Sequence, residues 1–238
     1  MNAAAVLERL FPQDHAVRID GDLIHGSARV DGRAITVLGS ANRAAIGVEL
    51  AHALAAGVLD AIQHRPGEPI LLLVDTVGQR LRRRDELLGI NAYIGHLAQC
   101  VELARRRGHP LVSLVYGGAV SGGYIGAGMM ADACFALATA EISVMNLPAM
   151  ARVTKIRLER LQQLAASSPV FAPGAENYLA MGALDALWHD DLAAALSAAL
   201  AAPPEPQDRR RERGLARGGR TAAAPVAERV RRESPKAA

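Results

Sequence analysis

Apolar positions along this chain alternate between a strand period and a helix period, and the switches between them predict most of the elements. A helix-like start at Ala4–Phe11 is followed by two runs, Ser27–Val30 and Arg33–Leu38. They flank Asp31-Gly32, a pair that favours the tight turn of a hairpin. Ile46, Leu50, Ala53, Leu54, Gly57, Val58, Ala61 and Ile62 then fall on one face of a helix, which Pro66-Gly67 ends. Pro69–Asp75 is an uninterrupted apolar strand of the kind covered on both faces, and Thr76-Val77-Gly78 reads as a turn. A long helix is predicted from about Asp85 to Arg107, closing at Gly108 with three arginines that suit its C-terminal dipole.

The strand Leu111–Tyr116 comes next, then a glycine turn and a helix starting at Ser121. Two short β-like runs (Ala133–Leu137 and Ile142–Met145) precede a helical stretch clearest over Lys155–Leu164. Ala175–Met181 reads as helix, Leu184–Trp188 as extended, and Asp190–Ala201 as a last Ala/Leu helix. Repeated strand–helix alternation implies an α/β domain with parallel pairing over residues 1–202. Residues 203–238 are rich in Pro, Gly and Arg and are expected to be a disordered or partner-ordered tail, with a short basic helix over Thr221–Glu233.

Composition narrows the picture. Half of the 238 residues are apolar but only 3% are aromatic, so the core is built from small and branched aliphatic side chains. The net charge of +3 belongs to the tail, which holds ten basic and five acidic residues. Basic residues interleaved with aromatics are absent, which argues against nucleic acid as a partner. Pro110–Ala131 is a 22-residue uncharged run, long enough to span a bilayer. Its six glycines divide it into two shorter elements, so no membrane span is expected. The N-terminus lacks a charged segment followed by an apolar one, and a cytoplasmic location is expected. Cys100 and Cys134 read as buried free thiols, and the seven histidines show no ligand spacing, so no metal is expected.

Candidate chemistry centres on residues 116–124. A buried strand feeding glycines and a helix start collects backbone N–H groups around one open spot, which suits an anion or oxyanion. Ser121 is placed to cap the helix, leaving the N–H groups of Gly122, Gly123 and Tyr124 free. Three other readings use the same residues. The glycines could serve packing alone, in a catalytically silent scaffold. Ala119-Val120-Ser121-Gly122-Gly123 is one substitution from a nucleophile elbow, with His189 and Asp185 or Asp190 as triad partners of a hydrolase. Phosphate-loop and dinucleotide fingerprints both fail, because no Gly-Lys-Ser/Thr follows and the glycine order is wrong.

Three segments together carry a resemblance. Leu-Val-Asp-Thr-Val-Gly at 73–78, Tyr-Gly-Gly-Ala-Val-Ser-Gly-Gly-Tyr at 116–124 and Ala-Thr-Ala-Glu-Ile-Ser-Val-Met at 138–145 resemble the carboxyl-terminal half of acyl-CoA carboxyltransferases, in the crotonase superfamily. Over residues 20–200 the chain is most similar to the gamma-subunit branch of biotin-independent malonate decarboxylases, supported by Asn146-Leu147-Pro148 after the last segment. The resemblance implies a crotonase-like ββα superhelix, a homologous beta subunit sharing the active site, and a malonyl thioester carried on the phosphopantetheine arm of an acyl carrier subunit. It implies no cofactor bound by this chain. Catalytic roles would fall to Gly122, Gly123 and Tyr124, and substrate contacts to Thr76, Val77, Gly78, Gly117, Gly118 and Ser121. Tyr124 and the partner subunit are the candidate sources of the proton for the enolate. A carboxyltransferase subunit of the biotin-dependent decarboxylase system is the related alternative. Where many biotin-dependent relatives have Asp-Thr-Pro-Gly, this chain has Val77. It also lacks Met-Lys-Met and Asp-Ser-Leu, so it is neither carrier.

Overall fold

The computed structural model describes every residue except 14, 168–172, 204, 206, 220 and 235–238. The N-terminal part contains α1 (Ala3–Leu10), β1 (Arg18–Asp20), β2 (Leu23–Val30), β3 (Arg33–Ser40), β4 (Ala44–Ile46) and α2 (Val48–His64). The centre contains β5 (Ile70–Gln79), α3 (Arg83–Leu87), α4 (Ile90–Arg106), β6 (Leu111–Val120), α5 (Ser121–Ile125) and a 3-10 turn at Gly128–Met130. It is followed by β7 (Ala133–Leu137), β8 (Glu141–Ser143), α6 (Leu147–Thr154), α7 (Leu158–Ser167) and α8 (Ala175–Ala180). The chain closes with β9 (Ala186–Trp188), α9 (Leu192–Ala201), α10 (Arg210–Ala216) and α11 (Ala223–Glu233).

Among the described residues the strands form one sheet in the order β1-β2-β3-β5-β6-β7-β9. The first three strands pair antiparallel through the hairpin at Asp31-Gly32, both of which have positive φ (52° and 77°) as its tight turn requires. From β3 onward the pairing is parallel. The two ten-residue strands, β5 and β6, each outrun their neighbours. β3 covers the first half of β5 and β4 covers the second, while β7 and β8 divide β6 in the same way. This stepped pairing is the ββα repeat, and it carries the carboxyl ends of β5 and β6 beyond the main sheet.

Alternate residues of β5 enter opposite cores, as the period of a strand demands. Leu72 and Val74 join Leu54, Val58, Leu97 and Val101 beneath α2 and α4. Leu71 and Leu73 join Leu7, Leu10, Leu192 and Leu196 beneath α1 and α9. Covered on both faces, β5 reads as the continuous apolar run seen in the sequence.

Several expectations are corrected. The segment Thr76-Val77-Gly78 is not a turn but the bulged continuation of β5, held by β4, and the register shifts between Ala44 and Ala45. Gly117-Gly118 likewise continue β6, and the pairing with β8 begins at Gly118 opposite Glu141. The long helix over 85–107 divides at Gly89, whose left-handed φ of 79° separates α3 from α4. The stretch around Lys155 also divides, because Lys155 itself is left-handed at φ 61° and ends α6. The uncharged run Pro110–Ala131 resolves into β6, α5 and the 3-10 turn. No helix among the described residues is long and apolar enough to cross a membrane.

In the tail, Arg210 and Arg213 of α10 and Arg217 just after it bond to the Ala131 carbonyl, Asp185 and the Leu184 carbonyl of the chain's own body. α11 covers most of the expected basic helix. The tail residues 204, 206, 220 and 235–238 lie outside the described set.

Beyond β5 the chain is tied down by charge. Arg80 makes a two-pronged bond to Asp85 (3.0 and 2.8 Å), and Asp85 also accepts from the N–H of Val48, joining α3 to the start of α2. The bond from Arg80 holds the Asp85 carboxyl down to about 2. An unfolded Asp titrates near about 3.9, so the folded value is the lower one. The stabilisation is therefore complete above roughly pH 4 and fades as pH falls toward about 2. Thermal melts of wild type and Asp85→Asn are expected to differ at neutral pH and to converge below roughly pH 4. A difference that does not change with pH contradicts this role.

Candidate active site

The site lies where β5 and β6 outrun the main sheet, at the carboxyl ends of parallel strands, where open α/β sheets place ligands. Its frame is a buried carboxylate. Asp75, only 6% exposed, accepts the N–H of Arg43 at 2.8 Å and that of Gly118 at 2.7 Å. Its own N–H donates to Ser40 Oγ. Asp75 lies within its strand and not at the strand's end.

That carboxylate accounts for Gly117, and the strand backbone beside it accounts for Gly118. A Cβ on Gly117 would lie 2.3 Å from Asp75 Oδ1, and one on Gly118 would lie 2.8 Å from the Thr76 carbonyl. Gly118 also spends its N–H on Asp75. Thr76 is fully buried; its hydroxyl donates to the Ala44 carbonyl at 2.6 Å and accepts the Gly78 N–H at 2.9 Å. Thr76, Gly117 and Gly118, expected to touch substrate, thus face the scaffold through these groups. Val77 does reach solvent.

At the end of β6 the chain enters α5 through Ser121, which has φ 53°. Left-handed backbone at a residue with a Cβ costs on the order of 1–3 kcal/mol. Ser121 is not the helix cap it was expected to be, since its side chain makes no capping hydrogen bond. The kink turns the first N–H groups of α5 away from the β6 ladder, and no side chain caps them. Gly122 and Gly123 are partly exposed. A Cβ on Gly123 would sit 3.0 Å from Ile46 and 3.1 Å from the backbone of Gly78, so α5 rests on the end of β5 with little room to spare. On Gly122 a Cβ would meet only Gln79 Oε1, at 3.5 Å. That oxygen is buried without a hydrogen-bond partner, and sequence reasoning missed it.

Tyr124 divides into two parts. Its N–H lies in the first turn of α5, but its side chain is 1% exposed and its hydroxyl has no hydrogen-bond partner. Burial pushes the phenol well above its usual range, with Cys134 and Tyr178 nearby, so it stays neutral inside the core. A proton passing from this phenol to the enolate would have to leave a side chain closed off from solvent.

The hydrolase triad does not assemble. Asp185 is engaged by Arg213 at 2.7 Å and by the Cys134 N–H at 2.8 Å. His189 follows β9, two strands away from β6, beside Arg9. Among the described residues, no group of His, Cys, Asp and Glu side chains could hold a metal ion.

Stepped strands with a kinked, glycine-lined helix start define a crotonase-like carboxyltransferase fold. Transcarboxylase 12S has the same fold, with a TM-score of 0.72 and 19% identity over 87% of this chain and 44% of that one. The family model for the malonate decarboxylase gamma subunit (MdcE) matches residues 41–234, and this chain belongs to that family. Two solved Pseudomonas structures are similar over nearly the whole chain. One is a malonate decarboxylase hetero-tetramer in complex with coenzyme A, at 27% identity and TM-score 0.76 over 96% of each chain. The other is an MdcD–MdcE hetero-dimer, at 26% identity and TM-score 0.75 over 96% of this chain and 97% of that one. The malonyl-S-ACP:biotin-protein carboxyltransferase MADD of Malonomonas rubra is 34% identical over 151 residues, 60% of this chain. The chain spans about half (52%) of the length of that relative.

Two substitutions test the frame. Gly117→Ala forces a methyl against Asp75 and is expected to destabilise the fold by about 1–3 kcal/mol in denaturant melts. Ser121→Gly relieves the left-handed strain and is expected to leave stability unchanged or raise it by up to about 1 kcal/mol. A Ser121→Gly variant clearly less stable than wild type contradicts the strained junction.

Proposed function

We propose that this chain is one half of a malonyl-thioester decarboxylase, active at a face shared with a homologous beta subunit. The observation that carries the reading is the uncapped start of α5, where the partly exposed Gly122 and Gly123 stand at the end of β5 next to Gln79 and Gly78. The substrate is a malonyl group on the phosphopantetheine-type arm of an acyl carrier subunit, a reading supported by the malonyl-S-ACP in the name of the relative MADD.

Loss of CO2 from a malonyl thioester breaks one C–C bond, and its electron pair moves into the thioester carbonyl as an enolate. Neither metal nor strong base is required. What lowers the barrier is a set of donors already aimed at the oxygen where charge develops, each worth about 2.7–4 kcal/mol. The N–H groups of Gly122, Gly123 and Tyr124 fill that role, on a helix start seated directly against Gly78. The enolate carbon then takes a proton from solvent or from the partner subunit.

Exposed apolar side chains surround this helix start. Leu81 and Leu87 follow β5, Ile125 closes α5, and Val144 and Met145 follow β8, which pairs with the end of β6. A rim of this kind suits the face covered by the beta subunit. The Pseudomonas relatives are a hetero-dimer and hetero-tetramers. A second reading, carboxyl transfer to a biotin protein, is favoured by the likeness to MADD.

The co-purified complex is expected to release CO2 from malonyl thioester without a biotin protein, and the solo chain to release none. Strict dependence on biotin protein favours the second reading, and turnover by the solo chain contradicts a shared site. Gly123→Ala presses a methyl on Gly78 and is expected to lower kcat roughly tenfold or more in the assembled complex, since small misplacements of reacting groups are costly.

A further inference from the structure

Three arginines of the C-terminal arm, Arg210 and Arg213 in α10 and Arg217 just after it, bind the body of the domain, but one of them reaches the segment that carries the candidate donors. Arg210 Nη2 donates to the Ala131 carbonyl at 3.0 Å and lies 3.6 Å from Cys134 Sγ. Cys134 Sγ in turn bonds the Gly128 carbonyl at 3.4 Å, and the thiol is fully buried. Arg210 therefore grips both ends of the stretch 128–131, which directly follows α5. The grip continues to the donors through Tyr124. A Cβ on Gly128 would lie 2.8 and 2.9 Å from Cε2 and Cδ2 of Tyr124, so that side of the ring packs directly against this glycine. The ring's other end is anchored by nothing polar, because its hydroxyl has no partner. Packing on Gly128 thus sets the depth of Tyr124 in the core, and with it the height of α5 above Gly78.

We propose that Arg210 is a positioning residue for the decarboxylation site. From the C-terminal arm it holds the Gly128–Ala131 shelf on which Tyr124 rests, and so fixes the direction of the Gly122 and Gly123 N–H groups. The inference rests on the functional reading above. Arg210 touches no substrate; it acts through the shelf. Arg217 provides the internal control. It lies on the same arm and donates to the carbonyls of Leu179, Leu184 and Asp185, none of which belongs to the 121–131 segment.

Arg210→Ala and Arg217→Ala are compared in the assembled complex. Misaimed donors weaken the transition state more than the ground state, so Arg210→Ala is expected to lower kcat roughly tenfold or more with KM within about twofold. Arg210→Lys, which keeps one donor and the charge, should recover part of the loss. Arg217→Ala should leave kcat within about twofold of wild type, whatever it does to the melting temperature. A silent Arg210→Ala, or equal losses from the two variants, overturns the proposal.

Hydrogen exchange on the two lysine variants covers the case in which the alanine variant fails to assemble. Arg210→Lys should deprotect residues 121–131 more than Arg217→Lys does, and equal protection overturns the proposal. Loss of the functional reading is recognised separately, by a wild-type complex that releases no CO2 or by a Gly123→Ala complex with unchanged kcat.

Discussion

The carboxylate of Asp75 is the constraint around which the rest of the site is arranged. It is buried at the centre of the sheet and is satisfied by backbone N–H groups of Arg43 and Gly118, from segments on either side of β5. Removing such an acceptor leaves buried donors unpaired, at about 1–3 kcal/mol each. The carboxylate demands glycine at 117, where any side chain would collide with it. It also fixes how β6 passes β5, and therefore where Val120 delivers the chain to Ser121. The left-handed Ser121 and the start of α5 beside Gly78 follow from that passage.

Much of this was legible in the sequence, and the reasons differ from element to element. The Asp31-Gly32 hairpin and β7 were readable because turn chemistry and local period agree with the final pairing. The ends of β5 and β6 were misread as turns, because Thr76-Val77-Gly78 and Gly117-Gly118 carry local turn signals. What holds them extended is tertiary: β4 and β8, short strands from elsewhere, supply the missing ladder. The break at Gly89 lay inside a long periodic run that a single glycine does not clearly interrupt.

The candidate site shows the same division. A cluster of backbone donors at 121–124 followed from the strand–glycine–helix pattern alone. Which glycines serve ligand and which serve packing did not, since that depends on what each absent Cβ would meet. Gly117 belongs to Asp75, Gly118 to the Thr76 carbonyl, Gly123 to Ile46 and the backbone of Gly78, and Gly122 alone of these four keeps ordinary space. The role of Ser121 is likewise set by the kink it occupies and not by its hydroxyl. Composition marks the arm at 209–217 as disordered or partner-ordered, and gives no sign of the arginines that reach backbone carbonyls of the body.

The chemistry asked of this chain is modest and depends on geometry: a few N–H groups, already aimed, against an oxygen that becomes negative only as CO2 departs. The most direct measurement is a crystal structure of the assembled complex with a non-decarboxylating malonyl-thioester analogue. The account predicts an analogue oxygen about 2.7–3.1 Å from the N–H groups of Gly122 and Gly123, facing Gly78. An analogue held wholly by the partner subunit, with those two N–H groups turned to other acceptors, would contradict it.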